Sequence, residues 1–508
     1  MTPRARFRVW ILAVVLLLGG QLAWLFLLRG PRILDSDGVL VGGQMLLTLP
    51  ILAIALLLKT TPADAIKLRR RTSEWAILVA VALLQVAAVA LLRPALSEDV
   101  LRYRVDGRMW LDGVSPYAIA PRDWDNAGRV DRLVPFPEMR TIYPAVSQAT
   151  FAIGAAIERA IGRPIEIPSP PSDATEPSPW RHYQKTARSP YRASVFRLMY
   201  AATAVGATYV LLLLLNTADQ SPWWSVIVAW NPLLTLEIGG MGHQDIVGVL
   251  FLLLCLYALA KQRALLAIIS LALVAAVKPF AFLIAPFVLR DLADRRGRRR
   301  VACAFASVLA LLYLPPLLYQ HGHTGWRESA SAYSQSWEAN GSFYDTIVRT
   351  FGKGDDGRAN ERAKQMARLL AAAALIATVL VAWRFRASPA AAGYWLGLVA
   401  LLCSPVAYPW YLLWALCFVP LLRGAWGWTA IVWAGTVGLS YTMWHQPTWR
   451  MTRGALLAEY AAVYAALAFE IGRAIHVARR ASRTTTPPQT TSDSPPSLFP
   501  PPLRGSSA

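Results

Sequence analysis

Apolar runs of bilayer-spanning length recur along almost the whole chain, and no other feature limits its fold so strongly. Residues 9–28, 39–58, 75–92, 195–215 and 246–260 are the clearest cases. A hydrocarbon core about 30 Å thick takes about 20 helical residues to cross. In that medium every backbone amide must find its partner inside the segment, which favours helices. The expected fold is therefore all-α and polytopic, with about 11 to 13 membrane helices in one domain over residues 1–480. The composition agrees, since 55% of residues are hydrophobic and 16% charged, with a mean hydropathy of +0.38, outside the range of ordinary soluble proteins. Arg4, Arg6 and Arg8 precede the first run, but no small-residue cleavage site follows it, so it reads as a retained span rather than a signal peptide.

A net charge of +21 in a soluble chain would point to nucleic acid. Here the basic residues sit in short connections between apolar runs: Arg69 to Arg71, Lys261 and Arg263, the run from Arg295 to Arg300, Arg384 with Arg386, and Arg479 with Arg480. That is the positive-inside bias, which orients spans, and no nucleic-acid partner is expected. Cys255, Cys303, Cys403 and Cys417 fall in or beside apolar segments, without disulfide or zinc spacing, and read as packing residues.

With the N-terminus cytoplasmic, the third span leads outward, and a long polar loop over about residues 94–193 is external; long loops of this kind carry function. Within it, residues 142–161 are apolar enough to cross. Charge parity favours a surface helix, because the basic turns at Lys261 and Arg295 to Arg300 otherwise fall on the wrong side. The segment 264–289 has basic signals at both ends but only 26 residues, where two crossings need about forty. A re-entrant or broken hairpin is expected, with Lys278-Pro279 at its middle, since Pro removes a backbone donor. A second external loop is expected over about residues 321–363. A Thr-, Ser- and Pro-rich cytoplasmic tail at 481–508 is expected to be disordered.

The first external loop opens with Glu98-Asp99, Arg102-Tyr103 and Asp106-Gly107, and one turn of helix would place Asp99 and Arg102 on one face. Pro116-Tyr117 and Thr141-Ile142-Tyr143-Pro144 follow, then Trp230-Asn231-Pro232, Gly242-His243-Gln244-Asp245, Lys278, and Pro409-Trp410-Tyr411-Leu412-Leu413-Trp414. Taken singly, each fits a capped, solvated loop or a span boundary. As an ordered series they resemble the GT-C glycosyltransferases, and glycosyltransferase family 87 in particular, over residues 95 to 420. Val105, Ser115 and Ala145 depart from that pattern, where Trp, Asn and Pro are expected.

The resemblance implies a polyprenyl-phosphate-mannose-dependent mannosyltransferase working outside the cell membrane, with inversion, on a lipid or glycan acceptor. It further implies Asp99 as general base with Glu98 as its understudy, and substrate contacts from Arg102, Tyr103, Asp106, Tyr117, Tyr143, His243, Asp245 and Lys278. Lys278, an ionisable group in an apolar run beside a helix breaker, is the first candidate for the leaving phosphate, with Arg102 and His243 behind it. Snorkelling of the lysine and a capped helix start at His243 and Asp245 are the structural alternatives. No cofactor or metal is expected: His321-Gly322-His323 has no carboxylate close by, and Asp123-Trp124-Asp125 has no nucleotide-binding fold around it. A flippase or transporter of lipid-linked sugars is the competing class, since broken helices and intramembrane cations occur there too.

Overall fold

The structure, a computed structural model, describes residues 3–29, 33, 36–60, 70–126, 134–162, 193–352, 357–422, 427–446 and 450–484. It is an all-α polytopic membrane protein. The helices are α1 (Pro3–Leu27), α2 (Asp37–Thr60), α3 (Arg70–Leu91), α4 (Asp99–Leu111), α5 (Ala145–Ile161), α6 (Ser194–Thr217), α7 (Asp245–Ala260) and α8 (Ala264–Ala275). They continue as α9 (Ala285–Arg296), α10 (Arg298–Leu318), α11 (Gly322–Ser336), α12 (Phe343–Phe351), α13 (Gly357–Arg384), α14 (Pro389–Cys403), α15 (Trp428–Thr436) and α16 (Arg453–Thr484). Among the described residues, seven helical segments are long and apolar enough to cross a membrane, and four shorter apolar ones accompany them. One isolated bridge joins Ala339 and Val406.

The basic connections gather at one end. Arg6 at the start of α1 donates to the Thr60 carbonyl at the end of α2 at 3.2 Å. Arg386 pairs with Asp294 at 2.9 Å, and Arg290 donates to the Ala387 carbonyl at 2.7 Å. The aromatic and acidic motifs lie at the other end. The spans between the two ends keep apolar side chains exposed around the rim, such as Leu46, Leu83, Leu311 and Leu369, as a lipid solvent requires.

The segment 264–289 is broken as its sequence implies. α8 is 12 residues long, about 18 Å and too short to cross. The helix stops at Ala276, Pro279 starts a tight turn to Leu283, and α9 leads back to the basic end. The carbonyls freed at the break are taken up by α5: Val146 N–H donates to Ala276 at 2.9 Å, and the Ser147 hydroxyl donates to Val277 at 3.1 Å. α5 itself is neither among the seven helices long and apolar enough to cross nor among the four shorter apolar ones; it buries Val146, Phe151, Gly154 and Ala155 and leaves Ile153, Ile157 and Ile161 exposed.

α4 and α5 pack closely at Gly107, where an added Cβ would lie 2.2 Å from the Phe151 carbonyl oxygen. The second loop foreseen over 321–363 is largely helical, holding α11, α12 and the polar first turns of α13. At the C-terminus α16 runs to Thr484, four residues into the stretch expected to be disordered, because Arg479 to Arg483 contain no helix breaker; residues 485–508 lie outside the described residues.

Candidate active site

Four elements converge at the end opposite the basic turns. The first is α4, whose opening turn carries Asp99 and, one turn on, Tyr103. The Tyr103 hydroxyl donates to Asp99 Oδ2 at 3.4 Å, and its ring stacks on Phe151 of α5 with centroids 4.3 Å apart. Tyr143 packs edge-on against Tyr103 at 5.3 Å. Burial and the nearby carboxylates Asp99 and Asp245 push the Tyr143 hydroxyl well above the ordinary phenol range. The Asp99 side chain keeps 31% of its surface exposed, so it remains reachable. Its neighbour Glu98 is partly buried, and desolvation followed by repulsion from Asp99 raises its carboxyl to about 8.

The second element is the turn joining the π-helical segment Thr235–Gly240 to α7. Gly242 sits at φ +83°, a conformation costly for residues with a Cβ, and its reversal presents His243 toward α4. The imidazole is almost wholly buried, with Nδ1 3.6 Å from Asp99 Oδ2 and Nε2 3.4 Å from Glu237 Oε2. Its face stacks on Trp410, with centroids 3.6 Å apart and planes 15° apart. Glu237, at 0% exposure, accepts from the Tyr441 hydroxyl at 2.7 Å.

The third element is the helix break. Lys278 Nζ lies 2.5 Å from Asp245 Oδ1 and 3.4 Å from the centre of the Tyr411 ring. Trp414 Nε1 donates to the same Asp245 oxygen at 2.8 Å. The fourth is the segment 408–414, which supplies these aromatic partners; Tyr408 stacks on Trp410 at 4.6 Å, and Tyr411 shares a hydrogen bond with Tyr333 of α11 at 3.0 Å.

Of the residues singled out from sequence, the structure thus brings together Asp99, Tyr103, Tyr143, His243, Asp245 and Lys278. The remainder lie in a layer behind. Arg102 turns to Asp106, one helical turn on, at 2.7 Å, and Asp106 also accepts from Gln148 at 2.9 Å. Tyr117 donates to the Tyr143 carbonyl at 2.6 Å and so braces the loop carrying Tyr143. His321 and His323 hold their rings 6.3 Å apart, and among the described residues no group of three or more His, Cys, Asp or Glu is placed to hold a metal.

Motif reading did not single out Glu237, Tyr333 or Tyr441. Glu237 carried a signal, as the one acid in the apolar stretch from 226 to 244, where ionisable groups are costly and default to function. The two tyrosines are joined to the site only by long-range contacts. Arg197 was missed in the same way as Glu237. It is fully buried in α6 and donates to the carbonyls of Ala88 at 2.7 Å, Leu92 at 3.1 Å and Gly239 at 2.8 Å. A cation there complements the negative end of α3 and ties it to the π-helical segment that precedes His243.

A buried imidazole between carboxylates, a partly exposed carboxylate and a lysine at a helix break form a site equipped to move a proton and to meet negative charge. Residues 188–405 match the model of glycosyltransferase family 87. The chain is a membrane glycosyltransferase, as its ordered motifs imply. The region of the glycosyltransferase family 87 match contains His243, Asp245, Lys278 and Tyr333, while Asp99 and the segment 408–414 lie outside it. No curated protein matches the chain.

Proposed function

We propose that this glycosyltransferase moves a hexose, mannose by its family resemblance, from a polyprenyl-phosphate carrier to a hydroxyl of a lipid or glycan acceptor at the extracytoplasmic face, with inversion. The observation that carries the reading is the meeting, at the end opposite the basic turns, of a reachable carboxylate with a lysine set at an intramembrane helix break. By the positive-inside rule that end faces outward.

In the reaction, Asp99 takes the proton of the acceptor hydroxyl as its oxygen attacks the anomeric carbon. The bond from that carbon to the phosphate oxygen breaks, and its electron pair leaves with the phosphate. Lys278 meets the charge that develops there, held by Asp245 and by the face of Tyr411. A phosphate is a competent leaving group, so the scheme requires no general acid. Glu98 suits the part of base less well than Asp99, since its burial favours the protonated form at neutral pH.

The test is to reconstitute the purified protein in liposomes with radiolabelled polyprenyl-phosphate-mannose and a panel of hydroxyl acceptors. Labelled product with inverted anomeric configuration is expected. Movement of the carrier across the bilayer without sugar transfer would instead support a flippase, and transfer only from glucose or arabinose carriers would correct the sugar.

A further inference from the structure

Glu237 has no part in the scheme above, yet it is a fully buried carboxylate aimed at the group that touches the base. Asp99, His243 and Glu237 lie in sequence, with one imidazole nitrogen facing each carboxylate, at 3.6 Å and 3.4 Å. The imidazole is held in that direction. Its ring is stacked on Trp410, and its own backbone N–H donates to the Glu237 carbonyl at 3.0 Å. At the far end, the Tyr441 hydroxyl occupies Glu237 Oε1, which leaves Oε2 as the oxygen turned to His243. At the near end, Tyr103 and His243 both face Asp99 Oδ2, and among the described residues no hydrogen bond reaches Oδ1.

Proton counting gives this line its meaning. A neutral imidazole carries one N–H and serves one carboxylate, turning a lone pair on the other. For both contacts to be favourable, the three groups must hold two protons between them: an imidazolium between two carboxylates, or a neutral imidazole with one carboxyl protonated. Either arrangement is costly to bury unless all its members are present.

We propose that Glu237 is a positioning residue for transfer, acting through His243 on Asp99, so that the three groups form one proton-holding unit. This rests on the reading of Asp99 as the base. Glu237 sets the orientation and proton content of His243. His243 in turn holds Asp99 Oδ2, leaving Oδ1 as the basic oxygen toward the acceptor. The proton taken from the acceptor enters the unit at Asp99 and leaves to solvent by the same exposed edge. The titratable groups facing the imidazole are Asp99 and Glu237, with Tyr103 beside the first and Tyr441 beside the second.

The experiment is a double-mutant cycle of Glu237→Gln and His243→Gln, read as transfer kinetics and as thermal stability across pH in detergent. Glu237→Gln keeps the shape and the acceptor for Tyr441. It is expected to lower kcat about 10- to 100-fold, as loss of an outer-shell partner does, to leave both KM values unchanged, and to displace the acidic limb of the pH profile. Glu237→Asp is expected to recover part of the rate. In the His243→Gln background the loss from Glu237→Gln should vanish, because the route to Asp99 is already cut. An unchanged kcat and pH profile for Glu237→Gln, or the same fold loss in both backgrounds, overturns the proposal. If the wild-type protein transfers no sugar from any carrier, the functional reading fails by itself. The stability cycle then still decides the unit: pH-dependent coupling between the two substitutions supports it, and additivity at every pH overturns it.

Discussion

Replacing Lys278 with Met removes the ammonium and keeps most of the stem, and the structure assigns two separable costs to that change. The first falls on the fold. Asp245 has a side chain only 2% exposed and would keep a single charge-stabilising partner, the Trp414 indole at 2.8 Å. Removing one member of a buried pair costs about 3–5 kcal/mol, because the other charge is stranded. The second falls on the transition state. Loss of one preorganised group aimed at developing charge costs about 2.7–4 kcal/mol, or about 10²- to 10³-fold in kcat.

Adding Asp245→Asn separates the two costs. The double variant carries no stranded charge, so its thermal stability in detergent should return most of the way to wild type. Its kcat for sugar transfer should stay down by about 10²-fold or more. The assay pairs thermal unfolding with product formation from a labelled polyprenyl-phosphate sugar in the same preparations. A double variant that regains both stability and rate would mean that Lys278 serves only to neutralise Asp245, and the phosphate role would be refuted.

Asp99→Asn is expected to lower kcat about 10²- to 10⁴-fold with little change in donor binding, while Glu98→Gln should keep most of the rate; the reverse order would move the base to Glu98. Glu98 also predicts a pH effect on stability, since its carboxyl goes from an ordinary value of 4.5 to about 8 on folding. The folded state then binds the extra proton between these values, so this residue's contribution is fully present below the lower one and is lost as pH rises through about 8. Unfolding temperatures across that range should decline less steeply in Glu98→Gln, and an unchanged slope would show that the shift is absent. Gly107→Ala should cost at least about 1–3 kcal/mol, because its Cβ would lie 2.2 Å from a backbone oxygen of α5; wild-type unfolding behaviour would show that α4 and α5 are not packed so closely.

Much of this architecture was legible in the chain because the bilayer leaves few choices. Apolar run length marked the spans, basic turns marked one end, and Lys278-Pro279 in a run too short for two crossings marked the break. Asp99, His243, Asp245 and Lys278 were legible as chemistry because charged groups beside or within apolar runs need a reason to be there. Partner choice was harder to see. Helical spacing offered Arg102 both Asp99 and Asp106, and only the packing of Gln148 against Asp106 shows why the second won. Asp245 was visible as a site residue but not as the counter-ion of Lys278, since 33 positions separate them. Glu237 and Arg197 were overlooked because neither stands in a motif, although one acid and one cation in apolar surroundings were each a signal.

The capped break between α8 and α9 also bears on how the chain is assembled. α8 is too short to hold itself across a bilayer, and the carbonyls at its end are met by Val146 and Ser147, which are synthesised about 130 residues earlier. During biogenesis α5 is therefore made long before its partners at the break, and the later segment has no settled depth until it meets α5. Lys278 would take its place only after both are present, so lesions at either partner should appear as faulty membrane insertion before they appear as faulty chemistry.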